Sequence, residues 1–155
     1  MDFYLVRHGE AKSEQGDPAR PLSEQGRRDV EAVAKKASGL GVKVSEILCS
    51  GKLRARQTAE ILVEHLSPSN GLSEINGLKP FDNPQIAQKI LDQSQESLML
   101  VGHLPHLSRL VSLLLTGYSE KDIVHFEAGA MLCLSRVNDA ENGWILKWFF
   151  SPTFV

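Results

Sequence analysis

Two arginines and two histidines stand along this 155-residue chain where a phosphoryl group could be held and attacked. Arg7-His8-Gly9-Glu10 follows the apolar run Phe3 to Val6, Arg54 closes the stretch Ser50-Gly51-Lys52-Leu53-Arg54, and Gly102-His103 follows Leu98-Met99-Leu100-Val101. A guanidinium fork grips two phosphoryl oxygens at once through charge-assisted bonds, and a neutral imidazole can attack phosphorus in line with its leaving group. Cations nearby keep such an imidazole neutral at pH 7, because a second positive charge beside them is disfavoured. His8 is therefore the candidate nucleophile, and Arg7, Arg54 and His103 are the candidate stabilisers of charge on the equatorial oxygens. Gly9 permits close backbone approach behind the nucleophile. Arg20 reads as a third phosphate or substrate contact, or as a loop arginine paired with Asp17. Asp82 reads as a water-positioning or acid residue, or as a solvated turn carboxylate.

These groups can meet only if the strands before them are neighbours. In open α/β sheets ligands bind beyond the carboxyl ends of the strands, where loops and helix N-termini offer free N–H groups. Apolar runs alternate with helical periodicity along the whole chain, as in βα units. Strands are expected at Phe3 to Val6, Ile47 to Cys49 and Leu98 to Val101, with Arg7 to Pro21 a long polar loop. A helix capped by Ser23 carries Val30, Val33, Ala34 and Ala37, and stops at Gly39 and Gly41. A second, from Lys52 to about Leu66, carries Ala55, Ala59, Leu62 and Leu66. Asn70 to Pro84 reads as irregular, Gln85 to Asp92 as a short helix, and Leu104 to Leu115 as a helix stopped by Gly117. Ala130 to Ser135 and Trp144 to Phe149, joined by a turn-rich segment, suggest an antiparallel pair at one end of the sheet. The expected architecture is a three-layer α/β/α sandwich, mostly parallel, formed by residues 1–155 as a single domain.

Seventeen basic against nineteen acidic residues leave a formal charge of −2, with no block of like charge, which argues against a dedicated nucleic-acid or membrane surface. The start of the chain shows no basic, cleavable leader and no apolar run reaches membrane-spanning length, so the cytoplasm is the expected compartment. Cys49 and Cys133 lie in apolar strand-like runs and read as buried thiols rather than as a disulfide or a metal pair. His65, His106 and His125 have no motif around them; a helix-end dipole is reason enough for His65.

Arg7-His8-Gly9 after a first strand resembles the signature of the histidine phosphatase superfamily, the phosphoglycerate mutase-like group. Ser50-Gly51-Lys52-Leu53-Arg54-Ala55-Arg56-Gln57-Thr58-Ala59 resembles its second arginine motif, and Gly102-His103 its second histidine motif. Within the group, Asp17 to Ser23, Leu78 to Asp82, His103-Leu104-Pro105 and the Trp148…Ser151-Pro152 ending are similar to SixA-type phosphohistidine phosphatases. That resemblance implies a phosphoglycerate mutase-like fold and hydrolysis of protein phosphohistidine through a phospho-His8 intermediate. The implied partner is a phosphohistidine-bearing phosphorelay or transport protein, acted on by a monomer.

The residues themselves bear on the narrower reading. Phosphate esters expel an alkoxide and need a positioned general acid, whereas the imidazole of a phosphohistidine departs neutral. The interval Ser67 to Ser97 has little room for a lid, and only Glu74 and Asp82 stand out in it as candidate acids. No metal or other cofactor is expected, since the arginines supply the charge that magnesium supplies in kinases. Two other functions fit the same residues: a phosphatase or mutase for small phosphomonoesters, and a phosphate-binding module without turnover.

Overall fold

The computed structural model describes all 155 residues. The first strand, β1 (Asp2–Arg7), lies between two others and has both faces covered, which is why its interior is apolar throughout. Beyond it come α1 (Glu24–Gly39), β2 (Glu46–Cys49), α2 (Leu53–Leu66), β3 (Leu72–Glu74), α3 (Pro84–Gln93), β4 (Leu98–Gly102), α4 (His106–Thr116), β5 (Met131–Arg136) and β6 (Trp144–Phe150). The sheet runs in the order β3-β2-β4-β1-β5-β6. Strands β1 to β4 are mutually parallel, β5 runs antiparallel to β1, and β6 antiparallel to β5.

Alternation along the strands divides the core into two layers. Tyr4, Val6, Ile47, Cys49, Met99 and Val101 face α1 and α2, where Val30, Val33, Ala34, Ala37, Ala55, Ala59 and Leu62 cover them. Phe3, Leu5, Leu48, Leu98, Leu100 and Leu132 face the other way, under Ala87 and Leu91 of α3 and Leu107, Leu110, Val111 and Leu114 of α4. Full burial of one such leucine stabilises the fold by about 2 kcal/mol. The three-layer mixed sandwich expected from the sequence is the fold observed.

Element ends follow local chemistry. Ser23 caps α1, accepting from the Gly26 N–H, and Asn83 caps α3, with Pro84 at its first helical position. Gly117 ends α4 in the left-handed region at φ 82°, which an L side chain adopts only with strain.

The structure corrects three expectations. β3 lies inside the segment read as irregular; three half-buried or exposed residues give no periodic signal, and pairing with β2 makes the strand. β5 and β6 form the antiparallel pair expected at one end of the sheet, with β6 at the edge. α4 begins at His106, two residues late, because Pro105 sits at its cap. His65 is held by a partner as well as by its place near a helix end: its Nε2 lies 2.6 Å from Glu31 Oε2, joining α2 to α1. Cys49 and Cys133 are free, buried thiols, both pushed up to about 11 by burial. No helix is long and apolar enough to cross a membrane.

Candidate active site

Strand order brings the chemistry together. β4 lies between β1 and β2, all three parallel, so Arg7 and His8, Ser50 to Arg54, and His103 leave the sheet at one edge. The His8 N–H bonds the Gly102 carbonyl at 3.0 Å, placing the first loop beside the third. The rings of His8 and His103 stand 5.0 Å apart between centroids, and Arg54 Nε reaches His8 Nε2 at 3.4 Å.

His8 is oriented from its far side. Its Nδ1 lies 2.7 Å from the Gly9 carbonyl, which can only accept, so Nδ1 carries the proton and Nε2 keeps its lone pair facing Arg54. The residue is only 8% exposed. Burial is the main reason its pKa falls to about 4, against the Gly9 bond, which raises it; the cations Arg54, Arg7 and Arg20 lower it further. His103 is brought down to about 3, first by burial, then by His8, Arg54, Lys52 and His106. Both imidazoles are neutral at pH 7.

Arg7 donates through Nη1 to the Phe126 carbonyl at 2.8 Å, which fixes its guanidinium at the base of the site, while its buried Nε finds no partner in the protein. A partly buried, incompletely paired guanidinium is a feature of an anion site, since an anion would satisfy it. Arg54 rides on the first turn of α2, whose N-terminus adds a positive dipole. Lys52 adds a positive field that acts on His103.

Of the remaining sequence candidates, Gly9 packs against α1: a Cβ there would stand 2.7 Å from Val30 Cγ2 and 3.0 Å from the Gly26 carbonyl oxygen. Its place beside His8 thus depends on having no side chain. Arg20 is brought to the cluster, where its charge acts on both His8 and Arg54. Its Nε bonds the Lys12 carbonyl at 3.1 Å, and no ion pair with Asp17 forms, contrary to that alternative. Arg20 also holds a left-handed φ of 49°, unusual for a residue with a side chain. Asp82 is not joined to His8 by any bond. Its carboxylate accepts from the Lys79 N–H at 3.0 Å in a tight turn and faces His106, which matches the turn-carboxylate reading. Glu74 is bound to Arg56, as is Glu60, so Arg56 serves the surface and not the site.

The structure adds residues that sequence reasoning passed over. Ser50, fully buried, places its Oγ 2.6 Å from His103 Nε2. Thr58 accepts from the Gly9 N–H at 3.0 Å, and Gln57 accepts from the Leu22 N–H at 2.8 Å, so α2 clasps the loop that follows β1. Gly26 lets α1 touch Glu10, whose carbonyl oxygen would stand 2.1 Å from a Cβ.

Residues 3–79 match the model of the histidine phosphatase superfamily, branch 1. The phosphohistidine phosphatase SixA of Escherichia coli K12 is 27% identical over 157 residues, covering 98% of this chain and 94% of that protein. A solved structure of the protein histidine phosphatase SixA with tungstate superposes with a TM-score of 0.86 at 25% identity, covering 99% of each chain. This chain belongs to the histidine phosphatase superfamily. It is a phosphatase of the SixA type. An uncharacterised protein of Picosynechococcus sp. is 37% identical to this histidine phosphatase over 117 residues, covering 69% of this chain and 68% of that protein.

Proposed function

We propose that this histidine phosphatase hydrolyses protein phosphohistidine in two phosphoryl transfers. His8 Nε2 attacks the substrate phosphorus, the phosphorus–nitrogen bond to the substrate imidazole breaks, and that imidazole leaves with the electron pair. With a proton on its other nitrogen, which lies away from the phosphorus, it departs neutral. Arg7, Arg54 and His103 hold the charge on the equatorial oxygens, and Arg20 at the rim adds a further contact for phosphate or for the substrate chain. Water then attacks phospho-His8, inorganic phosphate leaves, and the imidazole is restored.

One observation carries the choice of substrate. The charges that act on His8 and His103 are those of arginine, lysine and histidine, and no carboxylate bonds to Arg7, His8, Arg54 or His103. Glu74 is engaged by Arg56 and Asp82 by its own turn. A site so arranged suits a leaving group that needs no proton and is poorly suited to an alkoxide. SixA of E. coli, by its name a phosphohistidine phosphatase, supports the same reading. The partner is then a phosphohistidine-bearing phosphorelay or transport protein, met in the cytoplasm by a monomeric enzyme.

The test compares turnover of a phosphohistidine protein with turnover of a panel of phosphate monoesters, while radiolabelled phosphate is trapped on the enzyme. Faster turnover of the phosphohistidine protein and label on His8 are expected, with both lost in His8→Ala. Preference for the esters would reject the substrate, and substantial turnover by His8→Ala would reject the nucleophile.

A further inference from the structure

Four hydrogen bonds around the nucleophile close into a ring. The Thr58 hydroxyl donates to the Arg54 carbonyl one turn back at 2.8 Å; Thr58 Oγ1 accepts from the Gly9 N–H at 3.0 Å. The Gly9 carbonyl accepts from His8 Nδ1 at 2.7 Å, and Arg54 Nε returns to His8 Nε2 at 3.4 Å. Donors and acceptors balance in one direction only. Thr58 has a single proton, given to a carbonyl, so its lone pairs are free for Gly9.

We propose that Thr58 is a positioning residue of the reaction, anchoring the peptide between His8 and Gly9 and thereby setting which ring nitrogen is protonated and where the other points. This rests on the reading of His8 as nucleophile and extends it to a residue that touches neither substrate nor reacting atom. Thr58 is fully buried, as is the Gly9 N–H that it receives. Without the hydroxyl that N–H has no partner, and a buried donor left unpaired drives its peptide to turn. Glycine offers little resistance to such a turn, since its backbone reaches both signs of φ. The Gly9 carbonyl would then lose its line to Nδ1, and the proton could settle on Nε2, the nitrogen that must attack. The same hydroxyl ties the turn of α2 that carries Arg54 to the nucleophile loop, so imidazole and guanidinium are held by one side chain.

The probe is a small phosphoramidate, whose turnover involves no protein docking. Thr58→Val keeps the side-chain shape and removes the hydroxyl; kcat is expected to fall by about 10- to 100-fold while KM moves by less than about threefold. Thr58→Ser is expected to recover most of the loss. Nitrogen NMR of the histidines gives a readout that a merely structural role would not move: His8 should carry its proton on Nδ1 in the native protein and on a mixture of both nitrogens in the valine variant. A native His8 protonated on Nε2, or a folded valine variant with native kcat and native nitrogen shifts, would overturn the proposal. If valine prevents folding, Thr58→Ala takes its place, and the native spectrum decides in either case. Failure here leaves the nucleophile assignment standing, because His8→Ala tests that separately.

Discussion

His8, the proposed nucleophile, can attack only while its Nε2 lone pair is free, and the surroundings that keep it free also set its response to acid. Burial and three guanidinium groups bring the folded-state pKa to about 4, below the ordinary 6.5 that the unfolded chain retains. Activity on a substrate that does not titrate in this range should therefore hold from pH 7 to roughly pH 5 and fall with an inflection near 4. An inflection near 6.5 in the rate profile would show that the imidazole is not shielded in this way. Stability carries the same sign. With both His8 and His103 depressed, the unfolded chain binds protons that the folded chain refuses, so stability present above 6.5 declines as the pH falls toward about 3. Urea titrations at pH 7 and pH 5 should give the lower midpoint at pH 5. Arg7, His8, Arg54 and His103 were legible in the sequence because each ends or directly follows a strand, or opens a helix behind one. Ser50 and Thr58 were not, because serine and threonine near a helix start are ordinary. The signal that could have found Thr58 is its place four residues after Arg54, on the same helix face.

Helix α1 is a wall for the nucleophile loop, and two glycines let the loop and the wall touch. Gly9 and Gly26 meet where neither could carry a Cβ without displacing Val30, Leu22 or the Glu10 backbone. Gly26→Ala would improve intrinsic helix propensity, yet the loop must move to admit the methyl group. Loss of both thermal stability and kcat is expected, the reverse of the usual gain from glycine to alanine in a helix. A stabilised, fully active Gly26→Ala would show that the loop has slack. At the same end, Ser23 accepts from Gly26 and lies 2.8 Å from Glu10 Oε1, so it caps the helix and grips the loop together. Ser23→Ala should cost about 1 kcal/mol, a fall in Tm of about 2–4 °C in a thermal melt. Sequence spacing showed α1 well, since its apolar set recurs regularly and its cap is strong. It showed β3 not at all, because that strand exists only through pairing with β2, and the contact of Gly26 with Glu10 leaves no mark in the helical spacing.

Across the molecule, the sheet order joins distant parts of the chain. β1 pairs with β4 on one side and β5 on the other, and Arg7 takes its fixed position from the carbonyl of Phe126. A chain stopped after residue 125 keeps all four candidate catalytic residues but loses β5 and β6, leaving the apolar β1 as an open edge. Such a fragment should show neither a cooperative melt nor turnover, and a folded, active fragment would contradict the dependence described. The sequence conveyed the layers and the parallel core, because buried strands between amphipathic helices admit few arrangements. It left the lateral order of the strands open, since nothing local in β1 names its partners.

The central place of β1 has a consequence for synthesis. His8 is synthesised before the strands that flank its own, and β1 waits for partners roughly one hundred and one hundred and thirty positions later. Until those arrive the nascent chain carries an imidazole with no cradle, so phosphate chemistry must wait until β5 has been made.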